Sequence, residues 1–174
     1  FHRTVMTYGI AESALSKLIE EWENSLPEDM HLAYLPNPLT GVRLRLSIYG
    51  GNKDEQVRRI GQEMDKLRPI LGNLLYSEQD DTLEACIGRL LVSSGKTLSA
   101  AESCTGGKIS SLFTAIPGAS RFYLGSVTSY ANSVKENLLG VSCDTICRYG
   151  AVSSECVAEM AEGVRKATGS DFSV

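Results

Sequence analysis

The chain has 174 residues, 43% of them hydrophobic and 22% charged, with a formal net charge of −4. That length suits one domain or two small ones, and the hydrophobic share is enough for a packed core. The acidic balance gives no electrostatic reason to expect nucleic acid or an acidic membrane as a partner, and no apolar run approaches the ~20 residues that span a bilayer.

In chain order, His2 to Tyr8 reads as a strand ending at Gly9. Ile10, Ala14, Leu15, Leu18, Ile19 and Trp22 then recur at helical spacing. His31 to Tyr34 and Val42 to Ile48 read as strands, joined by a turn over Pro36-Asn37-Pro38-Leu39-Thr40-Gly41. In the second of them Val42, Leu44, Leu46 and Ile48 alternate with Arg43, Arg45 and Ser47, so one face is wet. A second helix is expected from about Asp54 to Leu67, stopping before Pro69. Residues 1–76 thus form a small α+β unit. Ser77 to Asp81 is a polar junction. Asp81 and Glu84 have capping-box spacing, and Leu83, Ile87, Leu90 and Leu91 form the expected buried face of the next helix.

From there the order is helix, strand (Thr97 to Ala101), helix (Lys108 to Ile116), strand (Phe122 to Tyr130) and helix (about Ser133 to Leu139). A short Cys143-to-Tyr149 segment, a helix after Ser153 and a partial strand at Asp171-Phe172-Ser173-Val174 follow. This alternation predicts an α/β layered second domain over 77–174. That last strand has nothing after it to cover it, and the chain opens on Phe1, so a piece of a longer protein is expected. No secretory signal opens the chain, and five cysteines (Cys86, Cys104, Cys143, Cys147, Cys156) are odd in number and sparse, which points to a reducing cytoplasm.

Chemistry concentrates at Ala101-Glu102-Ser103-Cys104-Thr105-Gly106-Gly107, in the turn where a strand feeds a helix. Backbone N–H groups at such a turn point outward and favour negative charge. Ser103 is either a nucleophile, with Gly106 and Gly107 N–H groups at an oxyanion or phosphate, or a plain helix cap, and by spacing alone the cap is the commoner feature. The only histidines are His2 and His31, in the first unit, so no Ser-His-Asp set fits within the second domain. Tyr130 and Lys135 are the candidate partners. Lys135 falls in the first turn of its helix, where the dipole and desolvation both disfavour the charged form. Their alternative is a core-edge tyrosine and a solvated lysine. Cys104 is a rival nucleophile or a small buried residue. Cys143, Cys147 and Cys156 do not have zinc-knuckle spacing and read as buried free thiols, so no metal is expected. Ser94-Gly95-Lys96-Thr97 lacks the earlier glycine of a P-loop, with Leu90 in its place, and it precedes a strand.

The motif at 101–107 resembles the signature of the CinA (competence/damage-inducible) C-terminal domain family. Ile116-Pro117-Gly118-Ala119-Ser120, Val127-Thr128-Ser129-Tyr130, Asn132, Lys135, Leu139-Gly140-Val141, Gly150-Ala151-Val152-Ser153 and Met160-Ala161-Glu162-Gly163 are similar as well. The first unit resembles the family's KH-type middle region through Gly9 to Ser13, Ala33 to Pro36 and Val42 to Leu46. The resemblance implies a KH-like α+β domain followed by a three-layer α/β/α domain that is incomplete at its C-terminus. It also implies a nicotinamide-nucleotide amidohydrolase that converts nicotinamide mononucleotide to nicotinic acid mononucleotide and ammonia, in pyridine nucleotide recycling. In that reading Ser103 is the nucleophile, Tyr130 and Lys135 transfer protons, and Thr105, Gly106 and Gly107 shape the oxyanion or phosphate site. No cofactor is implied, and a homodimer is expected. The family's N-terminal molybdopterin-binding-like domain is missing here, as is the glycine-rich segment that follows in its C-terminal domain. The competing expectations are an interaction or assembly module linked to competence or DNA damage, and a simple nucleotide-binding domain.

Overall fold

The computed structural model describes residues 1–38 and 41–174. They divide into two compact units, Phe1–Cys86 and Ile87–Val174.

The first unit runs β1 (His2–Thr7), α1 (Glu12–Asn24), β2 (Met30–Asn37), β3 (Gly41–Ile48), α2 (Lys53–Leu71) and β4 (Leu75–Ser77). Its antiparallel sheet has the order β2-β3-β1-β4. The alternation in β3 is realised: Val42, Leu44, Leu46 and Ile48 are all buried and pack with Leu15, Ile19 and Trp22 of α1 and Ile60, Met64, Leu67 and Leu71 of α2. Leu18 is 44% exposed, off the α1 stripe. Asn37 pairs with Gly41 across the β2–β3 hairpin; of the expected turn, Leu39 and Thr40 lie outside the described residues.

Two expectations are corrected. α2 runs through Pro69 to Leu71, because so near the helix end a proline forfeits a single backbone bond, while burial of Leu67 and Leu71 in the core holds the last turn. Ser77, expected to open the polar junction, instead closes strand β4, which β1 holds at Met6 and Thr7.

The second unit runs from within α3 (Leu83–Ser94) through β5 (Leu98–Glu102), α4 (Lys108–Thr114), β6 (Tyr123–Thr128), α5 (Asn132–Leu139), α6 (Cys143–Tyr149) and α7 (Ser154–Thr168) to β7 (Phe172–Ser173). The three strands are parallel in the order β6-β5-β7. On one sheet face Leu98, Ala100 and Tyr123 pack with Leu91, Phe113 and Phe122; on the other, Ala101 and Val127 meet Leu139, Cys156, Met160 and Val164. The result is an α/β/α sandwich, with helices covering both faces of a parallel sheet.

α3 is rotated relative to the expected face. A Cβ on Gly88 would come within 2.8 Å of the Phe122 ring, so Gly88 faces the core. Leu90, about 200° further round the helix, is 62% exposed. Thr82, which directly precedes α3, caps it, its Oγ1 accepting from Ala85 N–H at 3.4 Å.

The Gly95-Lys96-Thr97 segment is an anchor for β7. Asp171 accepts from Lys96 Nζ (2.8 Å), Thr97 N–H (2.9 Å) and Thr97 Oγ1 (2.9 Å). The Lys96 bond above all, then those from Thr97, lower the Asp171 carboxyl from its ordinary 3.8 to about 2. A depressed folded value stabilises fully above the ordinary one and fades as pH falls through the lowered one. The stability difference between wild type and Asp171→Asn is therefore expected to be complete at about pH 6 and to close between about pH 4 and pH 2. Urea unfolding across that range checks it. Among the described residues no helix is long and apolar enough to cross a membrane.

Candidate active site

β5 and β6 end side by side, at Glu102 and Thr128, and Ser129 N–H donates to Glu102 O at 2.7 Å just beyond them. The two chain segments that leave these carboxyl ends carry the site. Open α/β sheets seat their ligands at this end of the strands.

From the first segment comes Ser103, half-buried. From the second, α5 brings Lys135 back beneath the turn. Its side chain is 2% exposed, and Nζ has three oxygen neighbours: Ser129 O at 2.6 Å, Tyr130 O at 3.2 Å and Ser103 Oγ at 3.1 Å. The alternative of a solvated lysine does not hold. The two carbonyls can only accept, so two N–H bonds of the amine must point at them. The remaining tetrahedral direction of the nitrogen faces the Ser103 hydroxyl. A lone pair there would receive the serine proton, and an N–H there would donate.

Tyr130 enters this arrangement through its carbonyl; its ring is 80% exposed. Cys104 is exposed rather than buried, and the amine meets Ser103, not the thiol. Ser103 is also not the cap of α4. Gly107 stands at that position, left-handed at φ 97°, with no side-chain cap bond. Gly106, at φ 60°, spends its N–H on Ser103 O, and Lys108 N–H goes to Thr105 O. Gly106 is therefore not a free donor for an oxyanion, which leaves the backbone N–H groups of Cys104, Thr105 and Gly107 for that purpose.

Glu102 was not anticipated. It is 1% exposed, and its carboxylate accepts from Ile109 N–H (2.9 Å), Ser110 N–H (2.9 Å) and Ser110 Oγ (2.6 Å). It fills the start of α4, where the sequence placed an anion-binding turn, so the negative charge found there belongs to the protein itself. Burial alone would raise this carboxyl; the bonds from Ser110, Ile109 and Thr105 outweigh it and hold the group below the ordinary carboxylate range. Glu102→Gln, which keeps the shape but not the charge, is expected to cost about 2–3 kcal/mol in urea unfolding. The cap could not be seen locally, since side-chain caps ordinarily act two or three residues away and this one reaches seven and eight.

Cys143 and Cys147, expected to be buried, are exposed; Cys86 and Cys156 are buried. No group of three or more metal-ligating side chains occurs among the described residues.

Residues 80–174 match the family model described as the CinA C-terminal domain, and residues 2–77 that of the damage-inducible protein CinA KH domain. The CinA-like protein of Flavobacterium psychrophilum is 41% identical over 174 residues, 99% of this chain and 41% of its own length. That of Thermotoga maritima is 42% identical over 172 residues, 96% of this chain and 40% of its own. The chain thus spans about two fifths of the curated relatives it matches. Among solved structures, the competence damage-inducible protein A of Klebsiella pneumoniae superposes with a TM-score of 0.52 at 35% identity, covering 52% of this chain and 56% of that one. A CinA superfamily protein of Escherichia coli gives 0.52 at 34%, covering 52% and 53%.

Proposed function

Because the chain belongs to the CinA family through both its KH and its C-terminal domain, we propose that its second unit is built for serine acyl transfer from a carboxamide, with nicotinamide mononucleotide as the substrate. The observation that carries this reading is the buried Lys135 amine, 3.1 Å from Ser103 Oγ, its other contacts being carbonyls that leave only the serine direction open.

Ser103 Oγ attacks the carboxamide carbon while Lys135 takes the hydroxyl proton. The carbonyl oxygen becomes an oxyanion, met by the remaining N–H donors of the 104–107 turn. Lys135 returns the proton to the departing nitrogen, ammonia leaves, and a serine ester remains. Water, deprotonated by the same amine, attacks that ester; Ser103 Oγ leaves and regains its proton, and the acid is released. The sum is amide plus water to acid plus ammonia, with no cofactor in the balance. Proton transfer runs through Lys135 alone. Tyr130 contributes its carbonyl to hold the amine, and its exposed ring is available to the substrate. With Glu102 already at the start of α4, the substrate phosphate is bound elsewhere.

The test is ammonia release from nicotinamide mononucleotide by this chain. Release that survives in Ser103→Ala but is lost in Cys104→Ser would transfer the nucleophile to the thiol. No release from the wild-type chain would overturn the proposal.

A further inference from the structure

α6 presents Cys143 and Cys147 one helical turn apart, both exposed, with their sulfurs 3.9 Å from each other. Neither takes part in the Ser103 site, and the distance between them decides what the pair can do. A disulfide needs sulfurs about 2.05 Å apart and Cβ atoms about 3.5–4.5 Å apart. Positions i and i+4 of a helix hold their Cβ atoms about 5–6 Å apart, so oxidation of this pair requires α6 to unwind. Two metal–thiolate bonds of about 2.3 Å meeting at a tetrahedral angle place their sulfurs about 3.8 Å apart. The intact helix already offers that separation.

The frame behind the pair is fixed. Thr145, about 200° round the helix from each cysteine, donates to Glu159 Oε1 at 2.6 Å, and Ser142 N–H donates to Glu159 Oε2 at 2.7 Å. These bonds tie α6 to α7 and leave the thiols facing away. The Cys143 thiol is pushed up by its hydrogen bond to Cys147, with the charges of Cys147, Glu136 and Asp144 acting in the same direction. The Cys143 thiol therefore holds its proton until a bound ion displaces it. No third His, Cys, Asp or Glu completes a cage among the described residues, which excludes a closed structural zinc site.

We propose that the Cys143–Cys147 face of α6 is a bidentate dithiol site for a soft, thiophilic ion that is satisfied by two protein thiolates, trivalent arsenic being the type. Capture involves no change of oxidation state. Each thiol gives up its proton as its sulfur bonds to arsenic, and the arsenic-bound oxygen leaves as water.

The experiment treats the 174-residue chain with phenylarsine oxide, then with excess glutathione, and reads intact mass. Wild type is expected to keep a single arsenical, released by excess 2,3-dimercaptopropanol, because a chelating pair resists a monothiol and yields to a dithiol. Cys143→Ser and Cys147→Ser are each expected to lose it. Cys104→Ser, which removes an exposed but solitary thiol, is expected to keep it. Absence of the adduct from wild type, its survival in either α6 variant, or its loss in Cys104→Ser would overturn the proposal.

Discussion

Lys135→Met is expected to lower the rate of ammonia release by about 10²–10⁴-fold, the range that a positioned acid–base group contributes. Methionine fills nearly the same space but carries no proton. The substitution also leaves Ser129 O and Tyr130 O without the donor that now meets them at 2.6 and 3.2 Å, a penalty of about 1–3 kcal/mol. Lost stability could imitate lost chemistry, so Ser103→Ala is the companion. It removes a half-buried hydroxyl, costs about 1 kcal/mol or less, and is expected to cut turnover by about 10⁴-fold or more. Residues that act as one unit are not additive. The double variant is therefore expected to be no slower than the worse single one. Two independent losses that multiply would mean that Lys135 serves the fold and not the serine.

Gly163→Ala is expected to destabilise the protein by about 3 kcal/mol. Gly163 lies on α7 under the end of α5, and a Cβ there would fall 1.9 Å from Leu139 O, 2.7 Å from its carbonyl carbon and 2.9 Å from its Cα. These are backbone atoms, so no rotamer change relieves the overlap; α5 itself must move. Because α5 carries Lys135, turnover is expected to fall as well, by up to about 10²-fold for a shift of about 1 Å. The control is Gly61→Ala in α2, where nothing lies within 4 Å of the added carbon. There the same change is expected to stabilise by about 0.5–1 kcal/mol, as alanine does for glycine in a helix. Thermal unfolding of both variants checks the opposite signs.

How much of this was legible along the chain depended on the range of the forces involved. The stripe in α1 and the alternation in β3 follow from the positions of apolar residues, so both were readable. So was the placement of Ser103 between a buried strand and a helix. The continuation of α2 through Pro69 was not, because burial of Leu67 and Leu71 by distant residues decides it. Nor was the rotation of α3, which Phe122 sets by occupying the space beside Gly88. β4 is three residues long and exists because β1 offers a free edge.

The sequence by itself determined the two-part organisation as an expectation, the nucleophile candidate, and the short list of proton carriers. Composition, periodicity and residue type are enough for those. Tertiary structure alone decided which candidate meets which. It put the Lys135 amine against Ser103 and left Cys104 in solvent. It brought the Tyr130 carbonyl to the amine with the ring left exposed, and it handed the start of α4 to Glu102. The contact of the amine with the serine joins groups that lie 32 residues apart in the chain. Packing of the helices on the parallel sheet sets such contacts, and no local preference encodes them.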